Sequence, residues 1–270
     1  MDYSQIYLID YGLPILGLII TFLAQLYITS NYSKYKKIPN QSNKKGCEVA
    51  REILDKNGLQ EIKILKTAGN LTDHYDPTKK VIKLSEDIYE GNTIASVSVA
   101  AHECGHAIQD KIGYTPLKIR AALVPMVNFS TKIGYIVVMI GLIFNALNIA
   151  TIGLVLLLGM LLFQLITLPV EFNASTRAKN ELAELHILTV EEQNGTKKML
   201  TSAALTYVAS VLTTLLQILR LALIVFALLP LIFVVSFVLF NPLYLDVFTS
   251  NVGRFVFAII LILYLLFIFV

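Results

Sequence analysis

The sequence predicts a mainly α-helical, multi-pass membrane protein that carries a small α+β module. Two observations predict this class. The 270 residues are 56% hydrophobic and only 15% charged, whereas soluble domains carry roughly a quarter charged residues. Moreover, the charged residues are unevenly distributed, because five stretches contain none at all: 11–33, 133–170, 199–219, 221–245 and 255–270. The remaining segments therefore have the composition of a soluble domain inserted between membrane spans.

The first uncharged run, residues 11–33, is long enough to cross a bilayer as a helix. Asp2 and Asp10 precede it, where a signal peptide would carry basic residues. We therefore expect residues 1–33 to be a retained transmembrane anchor. Lysines from position 34 onward mark the expected exit from the bilayer.

The second run, residues 133–170, is predicted to fold back on itself. Its 38 residues would measure roughly 57 Å as one helix, about twice the ~30 Å hydrocarbon core. A transmembrane hairpin fits this length, and Asn145, Asn148 and Gly153 bracket its expected turn. Two crossings would return residues 171–220 to the side of the bilayer that holds residues 34–132.

Lysine and arginine counts predict the orientation. Residues 31–132 hold 16 of the 22 basic residues, residues 171–198 hold four, and the hairpin tip holds none. Since cytoplasmic loops are enriched in basic residues, both charged segments are predicted to be cytoplasmic and the amino terminus to lie outside. The predicted location is a cell membrane, so the lipid bilayer is an expected partner.

The carboxy-terminal part is predicted to enter the bilayer again. Only Arg220 separates the run at 199–219 from the next one, so one long helix, kinked at Pro230, is favoured over two spans. Residues 221–270 are then a transmembrane extension whose last span is 255–270.

The charged module at residues 34–132 is predicted to combine helices with short strands. The patterns indicate a helix over 48–57, strands over 62–65 and 81–84, and a helix from the cap at 92–93 to about 111. A turn is expected at Asp76-Pro77-Thr78.

The last of these helices carries His102-Glu103-Cys104-Gly105-His106, an HExxH motif. A spacing of four places both imidazoles on one helical face, where they can share a zinc ion, with Glu103 beside them as a base. The alternative is a pair of ordinary helix histidines. A position on a helix of the charged module is the context that supports the metal site.

A catalytic zinc ion needs a third protein ligand and one open position. The metzincin continuation would need glycine at 109 and histidine at 112, where the chain has Gln109 and Ile112. The remaining candidates are His74, His186 and the downstream acids. Among these, Glu171 is favoured, because the predicted hairpin returns it to the side of the HExxH motif.

Glu171 is predicted to lie on a helix that begins at Pro169. Ala174, Ser175 and Ala178 share its helical face, and such small side chains would let this helix approach the HExxH helix closely. The alternative is a solvated carboxylate stabilised by the helix dipole.

A rival ligand assignment uses Asn241–Asp246, which faintly resembles the aspartate motif of intramembrane site-2 proteases. It lacks the glycine after the aspartate, since Val247 follows. The HExxH helix is also followed at once by Asp110 and Lys111, which argues against a site inside a membrane span.

Other classes of protein are not supported. Cys47 and Cys104 lie far apart with no CxxC motif, so no disulfide framework is expected. The net charge of +3 comes from interleaved acids and bases without an RNA-binding motif, so no nucleic-acid partner is predicted. The spans lack the intramembrane charges of a transporter.

Several joined motifs, which extend from about residue 15 to about residue 220, make the chain similar to the YugP-type neutral zinc metallopeptidases of bacterial membranes. These motifs are 71–77, 80–85, 99–109, 168–175 and 204–209. By analogy with gluzincins, the resemblance implies one zinc ion per chain, a zincin-like module and a polypeptide substrate. It also implies His102, His106 and Glu171 as metal ligands and Glu103 as the catalytic residue. Related HtpX-like proteases usually carry aspartate at the position of Ser175, so we expect the surroundings of the ligands to differ.

The predicted function is a membrane-embedded zinc endopeptidase that acts at the cytoplasmic face, with membrane proteins among its expected substrates. His74, Arg177 and Tyr207 are candidates to contact the oxyanion or the substrate, and a peptide could add to the strand at 81–84 if that strand is an exposed edge. The alternative is a non-proteolytic scaffold or regulator with a structural or vestigial zinc site. The intact Glu103 argues against it, because a structural site needs no base.

Overall fold

A computed structural model describes residues 7–228 of the chain. A short π-helical stretch, Leu8–Gly12, leads into the first α helix, and a second one, Ile224–Leu228, follows the last. The elements between them are α1 (Leu13–Tyr35), α2 (Gly46–Lys56), β1 (Lys63–Thr67), β2 (His74–Asp76), β3 (Val81–Ser85), α3 (Glu86–Tyr89), α4 (Ile94–Lys111), α5 (Thr115–Ile143), α6 (Leu147–Glu184) and α7 (Val190–Leu223). The predicted kink at Pro230, the rival ligand Asp246 and the span at 255–270 lie outside the described residues.

Four helical stretches in the described chain are long and apolar enough to cross a membrane. They are Leu8–Tyr35, Thr115–Ile143, Leu147–Glu184 and Val190–Phe226, with mean hydropathies between 1.7 and 2.5. The predicted fold class is therefore confirmed in its coarse form, as a mainly helical chain with four candidate membrane spans and a small sheet. The continuous helix expected around residues 199–219 is also found, as α7.

The second uncharged run turns at residues 144–146, where Asn145 takes a positive φ of 53°. Gly153 is not part of this turn. It lies inside α6, where a Cβ atom would stand 2.5 Å from the backbone nitrogen of Val138 on α5. Small residues of this kind are typical of closely packed membrane helices.

The prediction that Pro169 begins a helix is wrong. Pro169 lies inside α6, which runs without interruption from Leu147 to Glu184. A proline in a helix interior removes one backbone hydrogen bond, and the packing of a long helix outweighs that loss here. The predicted boundaries at residues 133, 171 and 221 each fall inside a continuous helix. The ends of the helices therefore do not mark them, and the division of the chain stays a prediction.

The described chain forms two compact units. The first consists of residues 7–17, 126–161 and 213–228, which are helical apart from the turn at 144–146. Its core is built from aliphatic side chains of α5, α6 and α7 and the π-helical stretch after α7: Val138, Ala150, Leu154, Leu157, Ile218, Leu221 and Val225.

The second unit consists of residues 18–125 and 162–212 and contains the sheet. The strand order is β1-β3-β2, with β3 parallel to β1 and antiparallel to β2. The condition for adding a peptide to the strand at 81–84 is therefore not met, because β3 is the central strand and is largely buried. The sequence did not predict β2, since three polar or aromatic residues give no usable alternation.

The core of this unit joins the sheet to α2, α4 and α6. Ile53 and Leu54 of α2, Ile82 of β3 and Ala101 of α4 are fully buried there. Cys104 is buried in the same core and is a free thiol, and its Sγ lies 3.5 Å from the carbonyl oxygen of Ala50. The face of α4 opposite the two histidines is thus anchored by apolar packing.

Candidate metal centre

Helix α4 presents the two histidines of the HExxH motif side by side. The helix begins after Thr93, whose side chain accepts a hydrogen bond from the backbone of Ser96, as an N-cap residue should. It ends before Gly113, which takes the positive φ of 66° that glycine tolerates. The rings of His102 and His106 lie 4.8 Å apart at 85°. This is the shared face that the spacing of four predicted.

Helices α4 and α6 approach each other closely at Gly105. A Cβ atom at this position would lie 2.5 Å from the carbonyl oxygen of Ala174. Ala174 and Ala178 are themselves fully buried. The small residues of both helices therefore allow the contact, and this contact carries Glu171 to the histidines.

The substitution Gly105→Ala is expected to destabilise the protein by about 1–3 kcal/mol. Alanine is a better helix former than glycine by about 1 kcal/mol, so any loss of stability must come from pushing α4 and α6 apart. The free energy of unfolding in detergent measures this effect. Gly159→Ala on α6 is the matched control, because nothing lies within 4 Å of a Cβ there. Equal stabilities of the two variants would contradict the close contact.

Glu171 completes a group of three potential metal ligands. Its Oε2 atom lies 3.3 Å from Nε2 of His102 and 3.5 Å from Nε2 of His106. The ligand atoms of the three residues all lie within 4.8 Å of one another. Two imidazoles and one carboxylate form the donor set of several catalytic zinc sites.

The surroundings of Glu171 fit a bound cation. The residue is only 2% exposed, and its Oε2 atom is buried without a hydrogen-bond partner. A buried carboxylate oxygen with no partner is costly, and a metal ion shared with the two histidines would remove that cost. The residues present therefore fit zinc.

Gln109 fixes the orientation of His106. Its Nε2 atom donates to the carbonyl oxygen of Val170, 2.8 Å away, and to Oδ1 of Asn173. Its Oε1 atom must then be the one that lies 3.0 Å from Nδ1 of His106. Because that oxygen only accepts hydrogen bonds, Nδ1 carries the hydrogen and Nε2 keeps its lone pair for a metal.

Ser175 contacts His102 in a similar way. Its Oγ atom lies 3.2 Å from Nδ1 of His102 and can accept the hydrogen on that nitrogen. The expected difference from the HtpX-like pattern therefore has a structural counterpart, since a hydroxyl occupies the position of the aspartate. Neither Gln109 nor Ser175 was predicted in this role.

The substitution Gln109→Leu is expected to weaken zinc binding about 10- to 100-fold, as is typical when a partner of a metal-ligating histidine is lost. Leucine keeps the approximate size of the side chain but leaves His106 free to rotate. Competition with a zinc chelator measures the affinity. Gln193→Leu is the control, because Gln193 also donates to a backbone carbonyl, that of Leu188. Unchanged zinc affinity in Gln109→Leu would exclude the positioning role.

Arg120 is a site residue that sequence analysis missed. Its Nη1 atom lies 3.2 Å from Oε1 of Glu171, the oxygen that does not contact the histidines. The available signal was a lone arginine near the start of α5, a helix that is otherwise apolar in most positions. Nothing in the spacing of the sequence linked it to Glu171.

Two cavities, each of about 290 Å³, border the metal group. Five residues line both: Asp73, His102, Glu103, Glu171 and Tyr207. Glu103 is 7% exposed and stands in this shared wall. Burial raises the pKa of the Asp73 carboxyl. The hydrogen bonds that this carboxyl accepts from the backbone and the hydroxyl of Ser85 lower the pKa, but their effect is smaller.

The three predicted contact candidates are placed differently. Tyr207 borders both cavities, and His74 borders one of them, with its Nδ1 atom 2.8 Å from the carbonyl oxygen of Thr72. Arg177 borders neither cavity in the described chain, and its Nε atom donates to Oδ1 of Asn173. The other ligand candidate, His186, lies in the turn after α6 and is not part of the metal group.

The fold and the site define a class: a chain with four candidate membrane spans and a His-His-Glu group that could hold a metal ion. The chain belongs to the family described as "Putative neutral zinc metallopeptidase", whose sequence profile matches residues 11–226. It is also 44% identical over 208 residues to the "Putative membrane protease YugP" of Bacillus subtilis (strain 168). The aligned region covers 77% of this chain and 92% of that protein. The predicted resemblance is thus confirmed. No solved structure matches the chain.

Proposed function

We propose that this protein is a zinc-dependent endopeptidase of the gluzincin type, embedded in the bacterial membrane. The observation that carries the proposal is the group of His102, His106 and Glu171, in which Glu171 is buried and the histidines are largely buried. The group borders two cavities, and Glu103 lines both of them. A scaffold protein would need neither the cavities nor a carboxylate beside the ligands.

The chemistry follows from the positions of these groups. Zinc at this position would act as a Lewis acid that activates water near neutral pH and polarises a peptide carbonyl. The carboxylate of Glu103 accepts the proton that the attacking water loses, and it then delivers this proton to the nitrogen of the leaving amine. Glu103 lines both cavities, so a peptide bound in either one would lie beside it.

Besides zinc, a hydrogen-bond donor is needed to stabilise the oxyanion that forms from the peptide carbonyl, and we assign this role to Tyr207. Its side chain borders both cavities beside Glu103 and Glu171, so a carbonyl at the metal group would lie next to it. A hydroxyl donor in this position would stabilise the negative charge that develops on the carbonyl oxygen. His74, which borders one cavity only, is the second candidate, and the position of Arg177 does not favour it.

The site is proposed to act at the cytoplasmic face. The support is the distribution of basic residues, which favours the cytoplasm for the segments that hold both the HExxH motif and Glu171. Lys79→Cys, at an exposed position and in a Cys47→Ser background, would test the orientation, since the remaining Cys104 is buried. Labelling by an impermeant maleimide only after the cells are opened is the expected result.

Metal analysis and peptide cleavage test the proposed function together. The purified chain is expected to hold about one zinc ion and to cleave peptides, to lose cleavage in a chelator, and to regain it when zinc is added. A protein that holds zinc but cleaves no peptide would favour the scaffold or regulator instead.

A further inference from the structure

One of the two cavities at the metal group has a largely hydrocarbon wall. Besides the five shared residues, its lining comes mainly from aliphatic side chains of α1, α4 and α7. These are Ile28, Val99, Met199, Leu200, Ala203 and Ala204. We call this space the apolar cavity. Nothing in the proposed reaction itself requires such a wall.

We propose that the apolar cavity is a substrate subsite that receives a large apolar side chain next to the scissile bond. The inference rests on the proposed endopeptidase function and adds the class of residue that the site selects. The substrates would then be chain segments rich in residues such as leucine, phenylalanine and methionine.

The first argument is position. His102, Glu103 and Glu171 form part of the wall of the apolar cavity. When a substrate peptide binds with its carbonyl at the metal group, the substrate side chain next to the scissile bond would therefore lie at the mouth of this cavity. Pockets that lie against the reacting groups in this way usually determine the preferred residue beside the bond that is cut.

The second argument is charge. No lysine or arginine lines the apolar cavity in the described chain, whereas Asp73, Glu103 and Glu171 do. An acidic side chain would be repelled there, and a basic or polar one would have to lose its water to enter. The carboxylates and the hydroxyls of Tyr32, Ser175 and Thr206 also line the cavity, so a lysine peptide is needed to separate selection by charge from selection by apolar contact. The other cavity contains Arg120, His74 and Tyr75. The other cavity also has apolar lining, from Pro77, Leu117, Ala121 and Val124. The two sides of the metal group therefore differ in charge, because only the other cavity is lined by a cation.

The third argument is size. Ala203 and Ala204 are consecutive residues of α7, and larger side chains at these positions would fill the space that the alanines leave. Ala203 is only partly buried, so the helix can tolerate a larger residue there. Ala203→Phe should therefore close the cavity and leave the metal ligands in place.

The experiment measures binding as well as cleavage. Zinc-loaded full-length protein in detergent is given a set of fluorescent peptides that differ at one position next to the cleaved bond: phenylalanine, leucine, alanine, lysine or aspartate. Cleavage is followed with the wild type. Binding is followed by anisotropy with Glu103→Gln, alone and combined with Ala203→Phe. Thr201→Phe, which adds the same ring at an exposed position of α7, is the matched control.

Phenylalanine and leucine peptides are expected to bind at least about tenfold more tightly than both the aspartate and the lysine peptide. Tightest binding of the lysine peptide would mean that the carboxylates select the side chain, and it would overturn the apolar subsite. Ala203→Phe should remove this preference and favour the alanine peptide, whereas Thr201→Phe should retain the wild-type order. Equal binding of all peptides, or an unchanged preference in Ala203→Phe, would overturn the subsite. Because binding is measured without cleavage, a Glu103→Gln variant that binds apolar peptides, together with a wild type that cuts none, would contradict only the endopeptidase proposal.

Discussion

Replacing Glu103 by glutamine is expected to abolish peptide cleavage while the protein keeps its zinc. Glutamine has the size of glutamate but cannot accept a proton, and loss of a general base typically lowers kcat on the order of 10²–10⁴-fold. Glu103 is not one of the three grouped ligands, so zinc binding should not depend on it. Parallel assays of metal content and peptide cleavage provide the measurement.

The control for this variant is Glu61→Gln, which removes an exposed carboxylate outside both cavities and should behave as the wild type. Two results would contradict the assignment of Glu103. Full cleavage by Glu103→Gln would mean that another group is the base. Loss of zinc with the fold intact would mean that Glu103 is a ligand.

Replacing Glu171 by glutamine is expected to weaken zinc binding by at least about 100-fold, since a direct ligand should matter at least as much as its hydrogen-bonding partners. The amide keeps the volume of the side chain but loses the charge that lies between the two imidazoles. Isothermal titration with zinc measures the affinity. Cleavage should fall with the occupancy of the site, and added zinc should restore it only in part.

Thermal unfolding gives a second readout for Glu171. Zinc stabilises the wild type in proportion to the logarithm of its concentration over Kd, so Glu171→Gln should lose the rise in Tm that zinc causes. Without metal, the variant should be as stable as the wild type or more stable, because it no longer buries a carboxylate oxygen without a partner. Glu184→Gln, an exposed change near the end of α6, is the control. A normal zinc response in Glu171→Gln would exclude Glu171 as a ligand.

The HExxH helix was predictable because its signals are local. The cap at Thr93, the spacing of His102 and His106 and the glycine after the helix end all lie within about 20 residues of one another. Each acts through the backbone or through neighbouring turns of the same helix. Such signals survive in the folded chain because no distant contact competes with them.

Local signals failed where long-range packing decided the structure. A proline usually favours a helix start, yet α6 passes through Pro169 because the helix is long and packed on both sides of it. The strand at 81–84 was found, but its central position depends on β2, which pairs with it through only three residues. Neither outcome can be derived from the residues nearby.

The sequence by itself determined the membrane class, the HExxH motif and the family, because uncharged runs and motif spacing are properties of the linear chain. Glu171 was favoured by the number of predicted crossings, but many acids follow the motif. Only the tertiary structure brought its carboxylate within 3.5 Å of both histidines, through the contact between Gly105 and Ala174. The same packing recruited Gln109, Ser175 and Arg120. Their roles depend on which side chains meet across the three helices α4, α5 and α6, and spacing along one chain does not specify that.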